Sequence, residues 1–319
     1  MKVRLSHLYL IKSGFDEARD SAASMLHRLI RTSVRRRVTD RSPHSGRQRF
    51  AVLCAFEKGP REDIRAMLEN LRRLEFHIIV VTPNGAHEQY AEFTDTVIHI
   101  APVGRDFTAY KEGFLYVRDR ATIGPNSSVV FLNDSVWYFE RHQRSVLGLM
   151  LAGLGAQKLV AGGLIADEVP HVTGWLFASP LTAPALSNLN ALFEPHFVQK
   201  SRRYHIRVGE HRILPTIRNT ADLLLLAPRT HNPAIAACYE AVMNGTECFY
   251  LKWDATMRTD APRAKLAAFI ELNATESERM HAMRWIAGRA AQVEHDVFRT
   301  YEMAQYRRRH FRRAIGSSL

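Results

Sequence analysis

Residues 50–56 read FAVLCAF, a continuous apolar run typical of a strand that is buried on both faces of a sheet. Gly59 and Pro60 then break the chain, and the next segment has apolar residues at helical spacing (Ile64, Leu68, Leu71, Leu74). A second apolar run, FHIIVV, covers residues 76–81 and ends in a Pro-Asn-Gly turn. This order predicts a βαβ unit with parallel strands.

The same alternation continues along the chain. It predicts a short helix over 88–93, strands over 96–100 and 129–132, and a helix through 109–117 between those strands. Three further strands are expected over 159–165, 172–178 and 249–253, and one long helix over 277–313. We therefore expect an α/β fold: a doubly wound, mostly parallel sheet flanked by helices, with a helical C-terminal region. Ligands of such sheets bind at the carboxyl ends of the strands.

The positive charge of the chain lies at its two ends. Residues 1–49 hold 12 Lys/Arg and 4 Asp/Glu, residues 302–319 hold 5 Arg and 1 Glu, and the formal net charge is +12. The rest of the chain is therefore neutral. Residues 19–38 place apolar side chains at helical spacing among arginines, which predicts a basic amphipathic helix. Such a helix either lies on an anionic membrane surface or packs on its own domain.

Three units are expected: residues 1–48, the basic helix with a linker over 39–48; residues 49–260, the α/β domain; and residues 261–319, C-terminal helices with a basic tail. No apolar stretch reaches the ~20 residues that cross a bilayer, and no signal-peptide core follows the N-terminus. Three cysteines without CxxC spacing fit a reducing compartment. We expect a cytoplasmic protein, with peripheral binding at the inner face of the membrane as a further hypothesis.

Polar side chains follow two of the predicted strands. Gly104-Arg105-Asp106 lies at a strand-to-helix junction, where backbone N–H groups and the helix dipole attract phosphate. The alternative is that Asp106 only caps its helix while Arg105 is solvated. Asn133-Asp134-Ser135 follows the strand over 129–132, and its oxygens could hold a divalent cation against a diphosphate. Asn-Asp-Ser is also a common turn sequence.

These segments together resemble GT-A glycosyltransferases, in which a donor-facing helix precedes an apolar strand that ends in a DxD-type metal site. The resemblance is closest to the rhamnan synthesis protein F family and covers residues 50–255. It rests on four segments: GRDFTAY (104–110), FLNDSVW (131–137), HVTGWLF (171–177) and GTECFYLKW (245–253).

The resemblance implies transfer of a sugar, such as rhamnose or another deoxysugar, from a nucleotide-sugar donor to a cell-surface polysaccharide or a lipid-linked glycan. It implies that Asp134 binds Mg²⁺ or Mn²⁺, with metal-independent charge neutralisation as the alternative. The expected donor contacts are Gly104, Arg105, Asp106, Lys111, Asn133 and Ser135.

A general base for the acceptor hydroxyl is expected among Asp167, Glu168 and His171, with Asp167 favoured. The alternative for these three residues is a solvated loop with a partly buried histidine. His205 or His211 could instead supply a late metal ligand.

Two other functions remain open at this stage. His171 is followed by Val-Thr-Gly-Trp where the family usually has Leu-Gln-Ser-Tyr, which fits a non-catalytic polysaccharide-assembly protein with the same fold. The basic ends would also suit a nucleic-acid-binding protein. No nucleic acid is expected as a partner, however, because the chain has no aromatic-interleaved basic stripe and no nucleic-acid-binding motif. Motifs of dinucleotide dehydrogenases, P-loop NTPases, serine hydrolases and zincins are also absent.

Overall fold

The structure is a computed structural model. Among the residues that it describes, no helix has both the length and the hydrophobicity to cross a membrane. The described positions between residues 18 and 29 are helical, as predicted for that part of the N-terminal segment. The described residues are 18–19, 21–23, 25–26, 29, 34–42, 46–57, 59, 61–83, 85–101, 105–165, 171–194, 198, 209–217, 223–227, 237–252 and 263–294.

The described strands and helices alternate along most of the chain. The strands are β1 (Arg35–Asp40), β2 (Arg49–Cys54), β3 (Phe76–Thr82), β4 (Thr96–Ala101), β5 (Ser128–Asn133), β6 (Val136–Tyr138), β7 (Leu159–Ala161), β8 (Leu164–Ile165), β9 (His171–Val172), β10 (Leu176–Pro180), β11 (Leu223–Leu225) and β12 (Tyr250–Lys252). The helices are α1 (Glu62–Arg73), α2 (Asp106–Arg120), α3 (Glu140–Gly155), α4 (Ala183–Phe193), α5 (His211–Ile217), α6 (Ala237–Asn244), α7 (Arg263–Asn273) and α8 (Glu276–Glu294). A 3₁₀ helix, Ala86–Tyr90, stands where the short helix over 88–93 was expected.

Eight strands form one central sheet in the spatial order β1-β4-β3-β2-β5-β10-β7-β11. The strands β4, β3, β2 and β5 are parallel neighbours, and β7 and β11 are also parallel. The edge strand β1 is antiparallel to β4, and β10 is antiparallel to both β5 and β7. This mixed, mostly parallel sheet with flanking helices confirms the predicted α/β class.

Helices cover both faces of the sheet because successive residues of a strand point to opposite sides. In β2, Ala51 and Leu53 pack with α1 and α3 on one face. Phe50 and Val52 pack with α2, α4 and α5 on the other face. A strand buried on both sides needs an apolar side chain at almost every position, which is why residues 50–56 form a continuous apolar run. Each fully buried aliphatic side chain contributes about 2 kcal/mol by leaving water.

The N-terminal basic segment differs from the prediction. A helix was expected through residue 38 and a linker from residue 39, but residues 35–40 form β1, which pairs with β4 along its full length. Arg36 reaches Glu112 of α2 at 3.7 Å, and Val38 packs against the core on the same face. Pairing with the open edge of β4 therefore outweighs the helical spacing of this segment, and residues 35–40 belong to the sheet.

The strands predicted over 159–165 and 172–178 are each divided in two. β7 ends before Gly162, where the ring of Trp175 packs so close to the backbone that a Cβ atom would overlap it. The chain then forms the β8–β9 hairpin and returns to the sheet as β10. A side chain larger than hydrogen at Gly162 would push the indole of Trp175 away from the sheet.

The helices α7 and α8 pack against a separate two-stranded sheet. β12 pairs antiparallel with β6, in agreement with the strand predicted over 249–253. Trp137 of β6 and Phe139, which follows β6, pack with Phe269 of α7 and Ile286 of α8. The helix predicted over 277–313 is described only as α8, and residues 295–313 lie outside the described part of the chain.

Candidate functional site

The candidate site lies where the order of the parallel strands reverses. β2 has β3 on one side and β5 on the other, so their carboxyl ends form a topological switch point. Cys54 and Asn133, the last residues of β2 and β5, are direct neighbours in the register. Crevices at such points bind ligands in open α/β sheets, because the loops after the two strands turn in opposite directions.

Asn133 links the loop after β5 to the first turn of α2. Its amide nitrogen donates to the Asp106 carboxylate at 2.7 Å. Its amide oxygen accepts hydrogen bonds from the backbone N–H of Ser135 at 3.1 Å and from the Ser135 hydroxyl at 2.7 Å. The turn is therefore held with Asn133 facing Asp106. This arrangement brings together three of the residues that the sequence marked as donor contacts.

Asp134 faces the loop that follows β2. One of its carboxylate oxygens accepts the backbone N–H groups of Phe56 at 2.7 Å and Glu57 at 2.6 Å. Burial raises the pKa of Asp134 to about 6, although the positive charge of Arg61 opposes this rise. Asp134 therefore ties the loops after β2 and β5 together across the switch point.

Asp106 is the more accessible of the two carboxylates, because it is half-buried whereas Asp134 is buried. Burial raises the pKa of Asp106 to about 6, and the negative charges of Asp134 and Glu210 raise it further. Arg105 and the amide of Asn133 act in the opposite direction. The charges of Asp134 and Asp106 repel each other, and a bound cation would relieve that repulsion.

Asp106 and Asp134 are the residues at the switch point that could hold a divalent cation. Among the described residues, no group of three or more His, Cys, Asp or Glu side chains is arranged to hold a metal ion. Mg²⁺ is commonly bound through one or two carboxylates, with phosphate oxygens and water completing its coordination. Asp106 and Asp134 provide that smaller set, and Asn133 adds an amide beside them.

The other predicted residues lie in different places. Arg105 is the N-cap residue of α2, next to Asp106. Lys111 points toward the end of α4, where its ammonium donates to the Glu194 carbonyl at 3.4 Å, and burial lowers its pKa. The ring of His171 packs against that of His211, with 4.5 Å between the centroids. Gly104, Asp167, Glu168 and His205 lie outside the described residues.

Sequence reasoning missed Arg61, which is 1% exposed and lies just before α1. Its guanidinium forms a two-pronged pair with Asp63, with two N–H···O distances of 2.9 Å. It also donates to the Glu57 carboxylate at 3.1 Å and to the backbone carbonyls of Asp134 and Val136. All five N–H donors of the guanidinium are thereby used. Two of its partners, Asp134 and Val136, lie more than 70 positions away in the sequence, so periodicity alone could not indicate this role.

Glu210 is a second residue that the sequence did not indicate. Its carboxylate accepts the backbone N–H of Gly174 at 2.9 Å, and its charge contributes to the raised pKa of Asp106. Tyr110 of α2 donates its hydroxyl to the Gly174 carbonyl at 3.0 Å. The segment before β10 is thus bound by hydrogen bonds to Tyr110 of α2 and to Glu210, which directly precedes α5.

The chain matches no protein-family model and no curated protein sequence.

Proposed function

We propose that the chain is a nucleotide-sugar-dependent glycosyltransferase whose donor site lies at the carboxyl ends of β2 and β5. The observation that carries the proposal is the meeting of Asn133, Asp134 and Asp106 at this switch point. These residues belong to two of the segments that resemble GT-A enzymes, 104–110 and 131–137. The fold positions both segments at the edge where α/β sheets bind nucleotides.

In this proposal the residues at the carboxyl ends of β2 and β5 bind the diphosphate of the donor. A bound Mg²⁺ or Mn²⁺ would neutralise the charge that develops on the departing diphosphate. Asp106 and Asp134 would hold the ion, and Asn133 keeps the Asp106 carboxylate oriented through its 2.7 Å hydrogen bond. Arg105, beside Asp106 at the start of α2, would meet the phosphate oxygens. The hydrogen bonds from Phe56 and Glu57 to Asp134 would keep the loop after β2 in place beside the donor.

The acceptor would approach from the side of β9 and α5. His171 lies there with its ring against His211, and Glu210 is close enough to influence Asp106. An inverting transfer needs a base to remove the proton of the acceptor hydroxyl. We assign this role to the segment 167–171, with Asp167, Glu168 and His171 as the candidates. The acceptor would be a growing polysaccharide or a lipid-linked glycan at the cytoplasmic face of the membrane.

A second candidate function follows from the contacts of Asp134. One oxygen of this buried carboxylate already accepts two backbone N–H groups, which is a structural task that needs no substrate. A non-catalytic polysaccharide-assembly protein would keep such contacts and the fold without turnover. Loss of transfer activity on substitution of Asp106, which is half-buried and does not hold the loop after β2, would distinguish the two functions.

The proposal is tested by thermal shift with a panel of UDP-, GDP- and dTDP-sugars, each with and without Mn²⁺. One class of donor should raise the melting temperature only when Mn²⁺ is present, because a ligand that binds the folded state alone stabilises it. Asp106→Asn should abolish this shift. Asp119→Asn is the matched control, since Asp119 lies on the same helix with its side chain 41% exposed and paired with Arg118.

No donor-dependent shift in the wild type would contradict the proposal. A shift that persists in Asp106→Asn would place the donor elsewhere. A salt-sensitive mobility shift on DNA or RNA, without donor binding, would favour the nucleic-acid alternative.

A further inference from the structure

Four basic side chains meet near the outer edge of the sheet, away from the switch point. The rings of His87, in the 3₁₀ helix, and His99, in β4, are nearly perpendicular, with 4.8 Å between their centroids. Arg37 of β1 is the direct antiparallel partner of His99, so their Cβ atoms are ~5 Å apart. Arg41 follows β1 and donates to the Ala91 carbonyl, just after the 3₁₀ helix, at 2.9 Å. We call Arg37, Arg41, His87 and His99 the basic edge cluster.

The positive charge of the basic edge cluster has little acidic compensation. Arg36 points to the opposite face of β1 and pairs with Glu112. Within the described part of the chain, neither Arg37 nor Arg41 forms an ion pair with a carboxylate. Glu88 is the acidic group that acts on His87, and it is exposed. The charges of Arg37 and Arg41 therefore act on His87, with Glu88 as the opposing charge.

The pKa values of both histidines are lowered, first by burial and then by neighbouring basic groups. Burial lowers the pKa of His87, and His99 and Arg41 lower it further, while Glu88 acts in the opposite direction. Burial lowers the pKa of His99 as well, with Arg37 as the second cause. The Nδ1 atom of His87 is buried and has no hydrogen-bond partner. An anion at this position would offset the repulsion and accept hydrogen bonds from N–H groups of both rings.

The basic edge cluster lies at the ligand-binding edge of the sheet. His99 is level with Thr82, the last residue of β3, so it stands near the carboxyl ends of the parallel strands. β4 is two strands from β2, which corresponds to ~10 Å. The helical positions that precede β1 expose three large apolar side chains, Met25, Leu26 and Leu29. The N-terminal part of the chain thus contains both exposed apolar side chains and arginines of the basic edge cluster, a composition typical of segments that bind anionic headgroups.

We propose that the basic edge cluster is a binding site for a phosphate-bearing anion, either the headgroup of an anionic lipid or the phosphate of a soluble ligand. The site is separate from the candidate site at Asp106 and Asp134 and does not depend on the glycosyltransferase proposal. Arg37 and Arg41 provide permanent charge, whereas His87 and His99 gain charge as the pH falls. Binding is therefore stronger in mild acid, with Glu88 as the opposing charge.

The experiment follows the imidazole resonances of ¹³C-histidine-labelled protein while inorganic phosphate replaces chloride at constant ionic strength. His87→Gln and His99→Gln assign the two resonances. Phosphate should raise the pKa of both histidines and should bind about fivefold more tightly near pH ~5.5 than near pH ~8. Arg37→Gln with Arg41→Gln should weaken binding by about fivefold or more, since two charges ~4–6 Å from the anion are lost.

The matched control is Arg73→Gln with Arg118→Gln, two exposed arginines elsewhere on the surface whose carboxylate partners are Glu69 and Asp119. Thermal unfolding of both double variants verifies that they fold. Sedimentation with phosphatidylserine-containing vesicles and with pure phosphatidylcholine vesicles identifies the source of the phosphate. Vesicle binding that needs Arg37 and Arg41 supports a lipid headgroup, and phosphate binding without vesicle binding supports a soluble ligand. Histidine pKa values that do not respond to phosphate, or equal weakening in both double variants, would overturn the proposal.

Discussion

Trp285 donates its indole N–H to the carboxylate of Glu57 at 3.0 Å, although the two residues lie 228 positions apart in the sequence. The backbone N–H of Glu57 in turn donates to Asp134 at the candidate site. The ring of Trp285 also lies over the guanidinium of Arg61, with 5.2 Å between the ring centroid and the Cζ atom. The ring of Trp137 lies over the same group, with 5.6 Å between its centroid and Cζ. The C-terminal helix α8 therefore supports the loop after β2 directly.

Trp285→Phe should loosen this loop without removing the aromatic ring. The variant loses one hydrogen bond to a charged group, which we expect to cost about 2 kcal/mol and to lower the melting temperature by several degrees. Amide hydrogen exchange at residues 56–57 should become faster, because Glu57 loses a contact that holds it. Met280→Ala is the control, since Met280 is on the same helix and is 60% exposed. If the melting temperature falls but exchange at 56–57 does not change, the Trp285–Glu57 hydrogen bond attaches α8 to the domain but does not hold the loop after β2.

Arg61→Lys should destabilise the fold strongly although it keeps the charge. A lysine has three donors on one atom and cannot reproduce the two-pronged pair with Asp63 together with the bonds to Glu57 and Asp134. Several buried oxygen atoms that accept from Arg61 would lose their donors, so we expect a loss of about 3 kcal/mol in the free energy of unfolding. Denaturant titration measures it. Arg65→Lys, at a pair with Glu92 in which both side chains are about half exposed, should change stability by less than about 1 kcal/mol.

Asp106→Asn should stabilise the protein above about pH 6 and leave it unchanged near pH ~4. The raised pKa of Asp106, about 6, means that the folded state holds this proton more tightly than the unfolded state does. Its favourable contribution is therefore complete below the unfolded value of ~3.9 and is lost as the pH rises through about 6. Asparagine does not ionise, so the variant does not lose stability in this way as the pH rises.

Melting temperatures at several pH values between ~4 and ~8 test this prediction, and a gain of about 2 °C at neutral pH is expected. Asp119→Asn should show no such trend. A stabilisation by Asp106→Asn of equal size at both ends of the range would show that ionisation is not its cause.

The parts of the fold that could be predicted are those in which each strand carries its own signal. β2, β3 and β5 are buried on both faces, so their sequences are apolar at almost every position. β1 lacks that signal, because its sequence RRRVTD is mostly exposed and its place depends on the open edge of β4. The same difference holds at the site. Asn133 ends an apolar run that the sequence shows directly, whereas Arg61 gains its role only when residues 57–63 contact residues 134–136.

Deletion of residues 1–33 should reduce binding to phosphatidylserine-containing liposomes. This deletion removes the segment with the exposed Met25, Leu26 and Leu29 but keeps β1. Deletion of residues 1–48 would instead expose the edge of β4 and confuse loss of binding with loss of folding. Flotation of the truncated and full-length chains measures the difference, with neutral liposomes as the control. Equal binding by both chains would remove the N-terminal segment from the membrane contact.

Gly113→Ala should displace α2, the helix that begins at Asp106. A Cβ atom at Gly113 would overlap the Cγ1 atom of Val52 in β2, and both residues are buried. We expect a loss of about 2 kcal/mol in stability and weaker donor binding, because the helix carries Asp106 with it. Gly148→Ala on α3, where a Cβ atom meets nothing within 4 Å, should instead gain about 0.5–1 kcal/mol.

The double variant Gly113→Ala with Val52→Ala separates the clash from other effects. Removing the valine methyl groups makes room for the new Cβ atom, so the two changes together should cost at least about 1 kcal/mol less than the sum of the single changes. Denaturant midpoints of the four proteins give this coupling. Strict additivity would mean that the helix accommodates alanine without moving, and that donor binding lost in Gly113→Ala has another origin.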